Sequence, residues 1–187
     1  SCLYGPSGEL LYEAVVDSNS IEFSWSDPSL GTPEFAYQVK LFDDNNVEIF
    51  NKYNSVSPLF FDNLDWSTDY TIELTTTNFD ICESFIINTI VTTDAMPQPD
   101  QVILDSPISG EGEIFLSWDS VEYGSVYRVY SDGSIIDSTL STIYVDNELA
   151  PNTTFSYEVQ AINIEGTPGL ESEPVAGSTL PLSDATL

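Results

Sequence analysis

The chain has 187 residues, with 31 acidic side chains against three basic ones, no histidine, and a formal net charge of -28. That balance excludes a binder of nucleic acid or of anionic membrane, because both need clustered lysine and arginine. No apolar run approaches the roughly 20 residues that span a bilayer, and a hydrophobic content of 41%, spread along the chain, excludes a disordered acidic tail. Charged residues total only 18%, so the imbalance comes from missing cations, which are Lys40, Lys52 and Arg128 alone. The electrostatic partners left open are cations.

The Ser1-Cys2 start reads as that of a processed or excised piece. From there, period-two alternation, punctuated by Gly, Pro, Asn, Asp and Ser, predicts short antiparallel strands and no amphipathic helix. In chain order the predicted strands are Leu10–Val16, Ser20–Ser26, Phe35–Phe42, Val47–Tyr53, Leu59–Phe61, Tyr70–Asn78 and Ser84–Thr93. A second series follows: Gln101–Leu104, Glu113–Trp118, Ser125–Ser131, Ser134–Ser138, Thr142–Val145, Phe155–Asn163 and Pro174–Thr179. Ile21, Phe23 and Trp25 share one strand face, as do Ile114, Leu116 and Trp118. Seven strands per half, with alternate residues turned to one core, describe an all-β chain of two consecutive antiparallel β-sandwiches. The boundaries predicted are 1–94 for the first domain, 95–99 for a proline-containing linker, 100–180 for the second domain and 181–187 for a linker-like tail.

The halves also share wording. FSW at Phe23–Trp25 answers LSW at Leu116–Trp118, and YQVKL at Tyr37 answers YRVYS at Tyr127. LDWSTDY at Leu64–Tyr70 answers LAPNTTF at Leu149–Phe155, a leucine, a threonine four places on and an aromatic two places after that. With ESEPV before the last strand, these motifs resemble fibronectin type III domains over nearly all of residues 7–180. Two departures stand out: Trp66 replaces the usual proline of the corner motif, and Phe155 replaces the tyrosine whose hydroxyl anchors that corner.

The resemblance implies an extracellular or cell-surface segment that is not an enzyme. In that fold the N-terminus and the turn holding Cys82 share a pole, so a Cys2–Cys82 disulfide is expected, worth about 4 to 5 kcal/mol in the chain-entropy model. The last strand of the first domain, SFIINTIVTT, has no charge or proline, although natural sheet edges usually carry lysine, proline or a bulge. Phe85, Ile86, Ile87 and Ile90 are therefore candidate interaction residues, for protein partners including a second copy. Phe115 joins them, because alternation turns it outward, and it forms a contact patch where other outward apolar groups adjoin it.

No cofactor is expected. The best cation candidate is Asp43–Glu48, whose residues suit a plain turn as well as weak calcium binding. Lack of histidine removes the commonest general base, and no nucleophile elbow, phosphate loop or zinc spacing occurs. Two functions stay open: a structural or adhesive segment that self-associates into a surface appendage or filament, and an accessory module of a secreted polysaccharide-degrading enzyme. Carbohydrate is the secondary partner, with Trp66 as its candidate platform.

Overall fold

The computed structural model describes residues 10–26, 36–77 and 83–183. The chain divides into two compact units, Ser1–Ala95 and Met96–Leu187. Cys2 and Cys82, and with them the expected disulfide, lie outside the described residues.

In the first unit the strands are β1 (Tyr12–Asp17), β2 (Ser20–Trp25), β3 (Ala36–Phe42), β4 (Glu48–Lys52), β5 (Leu59–Phe61), β6 (Asp69–Thr77) and β7 (Glu83–Thr92). They form a three-stranded sheet, β1-β2-β5, and a four-stranded sheet, β4-β3-β6-β7, antiparallel throughout. Alternation sends Ile21, Phe23 and Trp25 from the first sheet and Val39, Leu41, Ile72 and Leu74 from the second into one buried cluster. Trp25 lies against Tyr37, ring centroids 5.6 Å apart.

The second unit contains β8 (Ile108–Ser109), β9 (Ile114–Ser117), β10 (Val126–Ser131), β11 (Ser134–Thr139), β12 (Ile143–Asp146), β13 (Thr154–Ile162), β14 (Pro168–Glu171) and β15 (Val175–Ser178). One sheet runs β12-β9-β8; in the other, β11-β10-β13 continues to both β14 and β15. Its core is separate, with Ile114, Leu116 and Trp118 facing Val129, Tyr157 and Val159. Trp118 and Tyr127 repeat the 5.6 Å ring contact.

Eight strands here, where seven were expected, reflect one split strand. Between β14 and β15 the Ser172 hydroxyl accepts the Val159 N–H at 3.0 Å, while the Ser172 N–H donates to Val159 O at 2.9 Å. Pro174 then contributes no donor, so pairing with β13 stops and resumes. The expected strand Gln101–Leu104 is not a strand: Val102 and Leu104 are buried, but only Leu104 forms a bridge, to Trp118. Alternation there records burial, not pairing, and β8 takes the place beside β9 instead. The preceding proline segment is tied to the second unit. Asn163 Nδ2 donates to Pro97 O at 3.1 Å, Gln101 Nε2 donates to Glu171 O at 2.6 Å, and a Cβ on Gly169 would stand 2.4 Å from Pro99 O.

The repeated leucine-threonine-aromatic motif builds one corner twice. Thr93 Oγ1 donates to Asp65 O at 2.6 Å and accepts the Thr68 N–H at 3.0 Å. Thr179 does the same with Ala150 O at 2.8 Å and the Thr153 N–H at 3.0 Å. Both threonines are buried at the end of the last strand, so each clamps that strand to the turn before the long one. One bond of the first corner motif has no match in the second. Tyr70 Oη accepts the Asp65 N–H at 2.9 Å, and Phe155 has no hydroxyl to match it.

Candidate interaction surfaces

β7 is the outer strand of its sheet despite its missing charges, and it runs ten residues. Its backbone polarity follows from two bonds. Thr93 N–H donates to Thr68 O, toward β6, whereas Asp94 N–H donates to Ser18 O, on the opposite side. Register is regular from Ile86 to Thr92, so odd residues direct their N–H and C=O at β6 and even residues direct theirs away from it.

Side chains follow the same parity. Ile87 packs against the core, so it does not belong with the outward candidates; its face is fixed by the one-residue alternation. Ile86 and Ile90 stand on the outer face, 51% and 68% exposed, with Asn88 between them. Phe85 pairs through its backbone with Thr76, and its side chain lies outside the described residues. Opposite Asn88 sits Glu73, which accepts from Lys40 Nζ at 2.8 Å. That hydrogen bond raises the Lys40 pKa against a partly opposing desolvation, and such a surface pair adds at most about 1 kcal/mol.

Phe115 is 40% exposed on the outer face of β12-β9-β8. Its direct cross-strand neighbours are Ile108 on β8 and Val145 on β12, and Ile143 lies one row along, opposite Ser117. The condition for a contact patch is thereby met: Ile108 and Ile143 are exposed beside the ring. In the first unit the corresponding row is Val15, Glu22 and Phe60, where a carboxylate occupies the centre. Nothing in the sequence flagged Ile108, since a two-residue strand between Pro107 and Gly110 reads as a turn.

The cation candidate, Asp43–Glu48, forms a turn. Asp43 Oδ1 accepts the Asn45 N–H at 3.0 Å and the Val47 N–H at 2.7 Å, an Asx arrangement that ties the carboxylate to its own backbone. Among the described residues no group of three or more acidic or metal-ligating side chains is placed to hold a metal ion, and no helix is long and apolar enough to cross a membrane. A shallow cleft beside the β1-β2 pair is lined by Leu11, Tyr12, Glu13, Ser24, Trp25 and Ser26, with Glu13 its sole titratable carboxylate. Trp66, the candidate sugar platform, is half-buried in the corner.

No protein-family model matches the chain. A poly(3-hydroxybutyrate) depolymerase from Ralstonia pickettii is 43% identical over 63 residues, 34% of this chain and 12% of that protein. Usherin from Mus musculus is 27% identical over 179 residues, 92% of this chain and 3% of usherin. The chain thus spans a small fraction of the curated relatives it matches. Among solved structures, a two-domain fibronectin type III segment of chicken tenascin aligns over 91% of this chain and 96% of that segment, at 16% identity and a TM-score of 0.47. The crystal structure of FN3tt aligns over 46% of this chain and 98% of its own, at 24% identity and a TM-score of 0.40.

Proposed function

From two consecutive sandwiches of fibronectin type III fold, we propose that the chain is a non-catalytic structural or adhesive segment of an extracellular or cell-surface protein. The observation that carries this reading is the duplicated corner: in each unit a buried threonine hydroxyl bolts the last strand to the turn before the sixth, which suits a module that must stay closed under load. Protein partners meet it along the β7 edge and on the outer face around Phe115. Placement outside the cell belongs to the same reading and goes with the pairing of Cys2 and Cys82.

Pulling a single molecule from its ends tests the mechanical role. Under reducing conditions each sandwich of some 90 residues should give its own rupture, releasing about 30 nm of chain at about 3.4 Å per residue, while a Cys2–Cys82 pair left intact should cut the first unit's release to about 5 nm. One merged event, or extension without a rupture force, would remove the reading.

A second reading has one observation behind it, the match to the depolymerase over 63 residues. In that case the chain is an accessory module of a secreted polymer-degrading enzyme. Sedimentation of the purified chain with insoluble polysaccharide and with poly(3-hydroxybutyrate) granules separates the two, since a structural segment stays in the supernatant.

A further inference from the structure

Among the described residues, every strand edge except one is short or carries a device against pairing. β1 holds Glu13 and Asp17, β4 holds Glu48 and Lys52, β11 holds Asp137 and faces a register shift in β10, and β5, β8 and β12 are three, two and four residues long. The second unit's last strand is broken between β14 and β15. Among the edge strands of the described residues, β7 alone offers a long run without charge, from residue 84 to 92.

The exposed face of that run reads the same in both directions about its centre. Going outward from Asn88, the next even residues are Ile86 on one side and Ile90 on the other. These three residues also direct their backbone groups away from β6, so the row of unused donors and acceptors coincides with the symmetric side chains. We propose that two copies of the chain pair through β7, antiparallel and with a two-fold axis at Asn88, joining their four-stranded sheets into one of eight. This rests on the reading of the chain as a protein-binding structural segment.

The pairing is isologous, the same patch on each copy. Asn88 lies opposite its counterpart, and Ile86 lies opposite Ile90 of the other copy at both flanks. Each of these three pairs has both residues aimed at the junction, and such pairs exchange two N–H···O bonds. Ile86 and Ile90 become direct cross-strand neighbours on the outer face, covering apolar surface exposed in the single copy. Asn88 side-chain amides each supply donors and an acceptor, so the central pair satisfies itself. A net charge of -28 on each copy opposes approach, which makes the association salt-dependent in an unusual sense: salt strengthens it.

Sedimentation equilibrium of the whole chain, from micromolar to millimolar and in dilute and molar sodium chloride, gives a monomer–dimer equilibrium that tightens with salt. Asn88→Pro removes an N–H aimed at the junction and none aimed at β6, so it should weaken the dimer by about tenfold or more while the fold persists. Ile90→Lys, at an exposed position that tolerates charge, should do the same without touching the backbone. Asn88→Cys, oxidised and mapped by proteolysis, should yield a peptide linked to itself, because directly opposed residues in such a pair have Cα atoms about 5.5 Å apart. A chain that stays monomeric in molar salt, a dimer indifferent to Ile90→Lys, or oxidation that never links position 88 to itself overturns the proposal. Where any of these occurs and pulling still gives two ruptures, the structural-segment reading stands and the pairing alone is lost.

Discussion

Tyr70→Phe isolates a hydrogen bond that the first corner makes and the second lacks. Tyr70 is 3% exposed, and its hydroxyl accepts the Asp65 N–H at 2.9 Å. Substitution leaves the ring and its packing in place, so no cavity term arises; what is lost is the acceptor of a partly buried backbone donor. Removing one partner of such a bond costs about 1–3 kcal/mol, and because the Asp65 side of the turn is solvent-exposed the lower end applies. For a unit of this size, about 1 kcal/mol lowers the melting midpoint by about 4–8 °C. Differential scanning calorimetry of the whole chain, with the two units' transitions assigned by a core substitution in each, reads the shift directly. The reasoning is refuted if the first unit's transition does not move, or if the second unit's moves with it. Phe155→Tyr is the reciprocal case: Thr179 already sets that corner as Thr93 sets the other, so a new hydroxyl near the Ala150 N–H should raise the second transition, by up to about 1 kcal/mol.

Other perturbations reach different parts of the molecule. Leu116→Ala, at a position 2% exposed in the core that also holds Trp118, should cost the second unit about 2–5 kcal/mol, read from the urea midpoint of tryptophan emission. Burial, followed by its 2.7 Å hydrogen bond to Asp146, pushes the Tyr157 phenol well above its ordinary value, and burial pushes Tyr144 up as well. A folded-state pKa raised above the unfolded value of about 10 gives stability that is complete below that pH and is lost as pH rises through the folded value. The second unit should therefore lose stability above about pH 10, and Tyr157→Phe should flatten the loss in alkaline denaturant titrations. Gly169→Ala drives a methyl group to 2.4 Å from Pro99 O, so it should detach the segment from Pro97 to Gln101 and speed amide exchange there. Asp43→Ala should cost about 1 kcal/mol through its two lost backbone bonds, and millimolar calcium should raise the wild-type melting temperature no more than sodium chloride of equal ionic strength.

Most of the fold was legible because the side-chain period of a half-buried strand is two and both halves spell it out. Phe23 and Trp25, and Leu116 and Trp118, point inward as alternation requires, and the strand bounds fall within a residue or two. Where the reading slipped, alternation and pairing had parted. Val102 and Leu104 alternate because both are buried, yet the backbone there makes only an isolated bridge from Leu104 to Trp118 and the Asp105 N–H bond to Ser117 O. β14 was missed because Pro168-Gly169 carries turn chemistry, while the glycine is needed for the close approach of Pro99 O. On the candidate surfaces, alternation placed Phe115 outward, as it lies; Ile86, Ile87 and Ile90 were grouped without regard to face, and parity separates the exposed Ile86 and Ile90 from Ile87, which packs on the core. The corner clamps were illegible. Thr93 and Thr179 lie some 25 residues from the turns they bind, and a threonine at a strand end announces nothing about a distant carbonyl.

The notch between β14 and β15 has a bearing on how the chain behaves in company. A serine hydroxyl standing in for a carbonyl, followed at once by a ring that cannot donate, leaves the second half without an uninterrupted template for a foreign strand. The two halves therefore carry unequal risk when many copies are crowded on one surface or refold side by side after stretching. Tangling should begin in the first half, and an array built from repeats of the second would recoil cleanly.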